Sequence, residues 1–173
     1  SGVTTKPSVL ILGTSIDHGE GGTQATIFNS GLVCQQLSDA GIGFINGGIR
    51  ADSVRRQLAS DAKRLALGNS TEITTVIFGG PVNDVTRSVG GTSTAAEIFA
   101  DMQTQWAKFP TKNRIQLTMT PLTSDGAGTT PIARAQVWRD VNDLIRNNTN
   151  GVKVWDIAAV MSNGGSATCT WFS

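Results

Sequence analysis

Four apolar residues, Val9-Leu10-Ile11-Leu12, run without a polar break into Gly13-Thr14-Ser15. A run this short, apolar at consecutive positions, has no face for water. It reads as a strand, Ser8–Leu12, covered on both sides, which is the condition of a strand inside a parallel sheet. Gly13 and Thr14 then turn the chain and lift Ser15 out of the strand's carboxyl end. An exposed serine just past the first strand of an α/β protein is a natural place for a nucleophile. The same residues also suit a plain turn into the next segment.

The rest of the chain repeats this alternation. Strands are predicted at Gly43–Ile45, Thr74–Phe78, Ile115–Thr120 and Val152–Trp155. Helical patterns separate them: Thr23–Ala40, a helix from an Asp52 or Ser53 cap to Leu67, Thr94–Phe109, and Ile132–Asn147. In the first, Asn29-Ser30-Gly31 interrupts the pattern, so its regular part begins only there. The second carries Val54, Leu58, Ala62 and Leu65 at helical spacing, with Arg55, Arg56, Lys63 and Arg64 forming a solvated face. The third opens on a capping box, Thr94 and Glu97, and closes before Pro110. The fourth turns Val137, Val141, Leu144 and Ile145 inward. The Ile115–Thr120 strand alternates as a more exposed strand does. Strands alternating with helices imply a three-layer α/β/α sandwich around a five-stranded parallel sheet, flavodoxin-like, with right-handed crossovers. No repeat or linker divides it, so residues 1–173 read as a single domain, with truncation at the C-terminus left open.

Composition excludes several classes. The formal net charge is +1 and only 16% of residues are charged, which gives no electrostatic case for nucleic acid or an anionic membrane. No apolar run approaches the ~18 residues needed to span a bilayer. The wealth of Gly, Ser, Thr and Asn suggests a soluble protein with generous polar loops, of an extracellular or viral kind. Two cysteines, Cys34 and Cys169, and one histidine, His18, are too few for a zinc cluster or a disulfide framework. The cysteines pair with each other or remain buried thiols. No metal or cofactor is expected.

In such folds ligands sit at the carboxyl ends of the strands. The turns after the first three strands carry Gly13-Thr14-Ser15, Asn46-Gly47-Gly48 and Gly80-Pro81-Val82-Asn83-Asp84. In that order they resemble the SGNH (GDSL-type) hydrolases, whose pattern is Gly-Asp-Ser, a glycine, Gly-x-Asn-Asp, and a late Asp-x-x-His. The resemblance spans nearly the whole chain. It implies a serine esterase with Ser15 as nucleophile. The backbone N–H groups of Ser15 and Gly48 and the Asn83 amide would form the oxyanion hole, because ester hydrolysis builds negative charge on the carbonyl oxygen. Glycine at 48 lets the backbone approach the substrate closely. Asp84 is expected to hold its loop. The implied substrates are small acyl esters, with O-acetylated carbohydrate as the narrower expectation and Trp138, Trp155 and Trp171 as candidate stacking rings.

The sequence departs from the pattern in three places. Thr14 stands where the family has Asp, the third motif has one extra residue before Asn83, and no Asp-x-x-His appears. Asp156-Ile157-Ala158-Ala159 falls in the family's last-strand region, but no histidine follows it. Three explanations stand. A partner segment supplies the histidine; the domain is a non-catalytic binding or structural module of a larger assembly; or His18, three residues after Ser15, is the base. A general base must reach the serine hydroxyl and be oriented by a third group, and adjacency to Asp17 and Glu20 alone does not meet that condition. His18 otherwise reads as a residue of the site's rim. A nucleotide-binding flavodoxin-like protein is the remaining class, weakened because the Gly19–Gly22 loop lacks a phosphate-binding lysine.

Overall fold

Side-chain alternation along the first strand divides the core in two. In the computed structural model, which describes residues 7–19, 31–87, 93–120 and 134–161, β1 is Ser8–Leu12. Leu10 and Leu12 point into one buried cluster, Val9 and Ile11 into another, because successive Cβ atoms leave a strand on opposite faces. β1 pairs in parallel with β2 (Gly43–Asn46) and β3 (Thr75–Phe78). β4 (Asn113–Leu117) follows β3, and β5 (Lys153–Trp155) forms the far edge, giving the order β2-β1-β3-β4-β5.

The two clusters define the layers. On one face α3 (Val54–Ser60), α6 (Ala95–Ala107) and α7 (Ala135–Arg146) bring Val54, Ile98, Met102, Trp106, Val141 and Ile145 onto the sheet. On the other, α2 (Leu32–Asp39) and α8 (Ile157–Met161) bring Val33, Cys34, Leu37 and Ile157. The predicted capping box of α6 is present: Thr94 Oγ1 accepts from Glu97 N, and the Glu97 carboxylate accepts from Thr94 N at 2.7 Å.

Three departures from the sequence reading have physical causes. The stretch expected as one helix from Ser53 to Leu67 is two, α3 and α4 (Ala62–Gly68), broken where Asp61 leaves helical geometry at φ −111° and ψ 43°. The break turns Ala62 out to solvent and Arg64 inward. β4 is an interior strand with Gln116 fully buried, not the exposed strand its alternation suggested. Two short helices, α1 (Ser15–His18) and α5 (Val82–Arg87), occupy stretches read as turns, since fewer than two turns offer no periodicity to detect. The amino-terminal half of the expected Thr23–Ala40 helix, the Pro121–Pro131 loop, Cys169, Trp171 and the tail lie outside the described residues. Cys34 is a free, buried thiol, pushed up to about 11 first by burial and then by the charge of Asp17.

Candidate active site

The site is built on three turns at the carboxyl end of the sheet. The first is Gly13-Thr14 running into α1. Ser15 opens this helix and is half-buried. Asp17, its third residue, folds back so that its Oδ2 accepts from Thr14 N at 2.9 Å, as an acidic residue does in a capping box. The carboxyl is wedged between two strand ends. A Cβ added at Gly13 or Gly79 would lie 2.1 or 2.2 Å from Asp17 Oδ2, so both positions need glycine. Where the Gly-Asp-Ser pattern has a carboxylate this chain has Thr14, and the carboxylate buried at this turn is that of Asp17.

Burial pushes the Asp17 carboxyl up to about 6, against the opposing pull of Thr14 N–H. An unfolded carboxyl loses its proton near pH 4. Between pH 4 and 6 the folded chain keeps a proton that the unfolded chain gives up. The stability from this group is therefore full below pH 4 and is lost as pH rises through 6. Asp17→Asn keeps an acceptor for Thr14 N–H and carries no charge. It is expected to melt at a higher temperature than the native chain above pH 6, by up to roughly 3 kcal/mol for a two-unit shift, and to flatten the pH dependence between 4 and 6. Thermal melts at pH 4, 5, 6 and 7.5 check this.

The second turn, Asn46-Gly47-Gly48, lies against α1. Gly47 N donates to Ile11 O at 2.9 Å and Ile49 N to Gly13 O at 3.2 Å, extending the pairing with β1 beyond the strands. A Cβ at Gly48 would lie 2.7 Å from His18 N and 3.1 Å from Asp17 C. Only glycine lets this backbone approach α1 so closely. Asn46 ties the two together: its Nδ2 donates to Asp17 O at 2.9 Å, and its Oδ1 accepts from Gly48 N at 2.9 Å. The Gly48 N–H named as an oxyanion donor is therefore engaged with a side chain in this structure. Ala51 follows at φ 58°, a left-handed conformation costly for a residue with a Cβ.

The third turn carries Asn83, 8% exposed. Its Nδ2 donates to Asp52 O at 2.6 Å, and the same nitrogen has a second hydrogen to give. Asp84 accepts from Val54 N at 2.9 Å and Arg55 N at 3.3 Å. It caps α3 from outside, and burial raises its carboxyl above the usual range. The sequence expectation for Asp84, a loop-holding role, agrees with this geometry.

Three functional-end residues escaped the sequence reading. Asp52, expected only as a cap, is 2% exposed and links the second turn to the third, while Ser53 makes the cap. Gln116 donates from Nε2 to Gly79 O at 3.0 Å and accepts from Trp106 Nε1 at 3.0 Å, which fixes the start of the Asn83 turn. Arg64, read as part of a solvated helix face, is half-buried against Gly47 and Asp52. Asp156 accepts from Thr118 Oγ1 at 2.9 Å. Arg146 holds it at 2.8 Å and pulls its carboxyl below the usual range, while its Oδ1 accepts from Ala159 N at the head of α8. Trp138 and Trp155 pack against the two core clusters, Trp138 donating to Thr120 O at 3.1 Å. Both rings are half-buried.

Beside Asn83 opens a cavity of about 350 Å³, lined by Ser53, Arg55, Ser93, Ile98 and Asp101 among others. Its volume is at the small end of ligand sites. The Arg55–Asp101 ion pair, 3.0 Å, spans it. Among the described residues no group of His, Cys, Asp and Glu stands close enough to hold a metal, and no helix is long and apolar enough to cross a membrane.

The sheet order, the two helical layers and the three turns define the fold of the SGNH (GDSL-type) hydrolases. Solved structures carry the same assignment. A lipolytic protein of the G-D-S-L family from Desulfitobacterium hafniense superposes with a TM-score of 0.70 at 14% identity, covering 97% of this chain and 85% of that one. A lipase/acylhydrolase from Enterococcus faecalis gives 0.64 at 17%, covering 95% and 87%. A Geobacillus acetyl-xylooligosaccharide esterase, in a mutant form, gives 0.61 at 18%, covering 91% and 78%. No protein-family model matches the sequence, and no curated protein sequence does. The likeness is one of fold.

Proposed function

We propose that this chain is a serine ester hydrolase acting on small acyl esters, with Ser15 as nucleophile and the N–H groups of Ser15 and Gly48 and the Asn83 amide as oxyanion donors. One observation carries the reading: three turns separated by more than thirty residues each are drawn to one end of the sheet, with Gly48 packed on the backbone of Ser15's own helix and Asn83 joined to the Gly48 turn through Asp52. Structure with this economy of glycine and amide donors suits the stabilisation of a developing oxyanion. The 350 Å³ cavity is lined by Asn83 but not by Ser15 or Gly48, so the substrate class rests on the similarity to an acetyl-xylooligosaccharide esterase, which favours an O-acetylated carbohydrate.

Two sources of base fit this site. His18, the chain's one histidine, lies at i+3 from Ser15 on α1, so the two side chains share a helix face with Cβ atoms about 5–6 Å apart. The other is a histidine carried by a partner segment. The test is hydrolysis of p-nitrophenyl acetate and p-nitrophenyl octanoate by the native chain and His18→Gln. The acetate is expected to be the better substrate by at least about tenfold in kcat/KM, the order of a few methylenes misfitted in a small pocket. Loss of turnover in His18→Gln assigns the base to this chain, and unchanged turnover assigns it elsewhere. A folded chain that hydrolyses neither ester favours the second reading, a binding module, to which the engaged Gly48 N–H also points.

A further inference from the structure

Arg64 has the pattern of a solvent-facing cation, three residues past the Asp61 break on α4. Its side chain is only 14% exposed. The guanidinium donates two hydrogen bonds and forms an ion pair with a third group, to which Nε makes no hydrogen bond. Nη1 donates to Gly47 O at 2.5 Å, Nη2 to Asp52 Oδ2 at 2.5 Å, and Nε faces the Asp61 carboxylate. The stem also packs on the turn, since a Cβ at Gly47 would lie 3.5 Å from Arg64 Cδ.

Two of these acceptors lead to the oxyanion donors. The Gly47 carbonyl and the Gly48 N–H belong to one planar peptide unit. A cation on that oxygen fixes the plane and polarises the peptide, so its N–H donates more strongly. Asp52, whose Oδ1 accepts from Ser53 N at 3.0 Å, is held at its other oxygen by Arg64. The Asp52 backbone carbonyl in turn receives Asn83 Nδ2 at 2.6 Å. A single side chain thus anchors the Gly47–Gly48 peptide directly and the Asn83 amide through Asp52. A lysine cannot reproduce this, because it is a point donor without the planar fork.

We infer that Arg64 is the positioning residue of the oxyanion hole, holding the Gly48 N–H and the Asn83 amide in one fixed relation from outside the site. The inference rests on the reading of Gly48 and Asn83 as oxyanion donors.

The experiment compares Arg64→Ala, Arg64→Lys and the neighbouring exposed Lys63→Ala in two readouts. On p-nitrophenyl acetate, Arg64→Ala is expected to lower kcat by about 10–100-fold, the scale set by a misplacement of roughly 1 Å, with KM within about threefold. Arg64→Lys recovers part of the loss and Lys63→Ala stays within twofold of native. In amide ¹H–¹⁵N spectra, the Gly48 N–H and the Asn83 side-chain amide are expected to shift in both Arg64 variants while the Asn142 amide stays in place. If Arg64→Ala does not fold, Arg64→Lys carries both readouts. If the native chain hydrolyses nothing, the esterase reading fails, and the spectra alone decide the Arg64 anchor. Folded Arg64 variants with kcat within twofold of native, or with Gly48 and Asn83 resonances unmoved, overturn the inference.

Discussion

Ser15→Ala is expected to reduce ester turnover to background. Loss of the nucleophile from a fully activated serine hydrolase costs on the order of 10⁶ in kcat, and a smaller loss here measures how far short of full activation Ser15 falls. The fold should hardly notice. Ser15 is half-buried at the head of a four-residue helix, and the bonds that hold this turn belong to its neighbours: Thr14 N to Asp17, His18 N to Thr14 O, and Asn46 to Asp17 O. A surface change away from such contacts stays within about 0.5 kcal/mol. Steady-state rates and a thermal melt on the same preparation separate the two effects.

Asn83→Ala is expected to lower kcat by about 10²–10³ with KM nearly unchanged, because the oxyanion exists only on the way to the tetrahedral intermediate. Here a stability cost does follow. The Asp52 carbonyl loses the donor that reaches it at 2.6 Å in a buried place, and an orphaned buried acceptor costs about 1–3 kcal/mol. Both effects should therefore appear together, activity measured well below the melting temperature and stability by denaturant titration. A raised KM with kcat intact would instead make Asn83 a substrate-binding residue.

The parts of this molecule that were legible in the sequence are those where one side chain's environment is set by its neighbours in the chain. Val9–Leu12 and Val76–Phe78 are apolar at every step and are buried at every step. Ile98, Met102 and Trp106 repeat at helical spacing and form the inner face of α6. The three turns follow from glycines placed where strands end. What stayed hidden depends on distant partners. Gln116 looks like the polar, outward step of an alternating strand, yet it is fully buried because Trp106 and Gly79 satisfy its amide. Arg64 looks like part of a solvated helix face, and the Asp61 break turns it onto Gly47 and Asp52. Asp17 looks like a polar neighbour of Ser15, and only the closeness of Gly13 and Gly79 shows that it fills the space between two strand ends. In each case a polar residue is buried by a segment elsewhere in the sequence, through hydrogen bonds for Gln116 and Arg64 and through the close approach of Gly79 for Asp17, and no local pattern encodes that.

This also explains why the proposed oxyanion donors are easier to name than the base. Ser15, Gly48 and Asn83 all lie within five residues of the carboxyl ends of β1, β2 and β3. A general base need only be brought to the serine in space, and its place in the sequence is free.

The central claim is that Ser15 is an activated nucleophile in this chain. Intact-mass analysis after treatment with a fluorophosphonate tests it most directly, on the native chain and on Ser15→Ala, each confirmed as folded. The account predicts one adduct on the native chain, mapped to the peptide containing Ser15 and absent from Ser15→Ala. A folded native chain that takes no label, or takes it at another residue, contradicts the account.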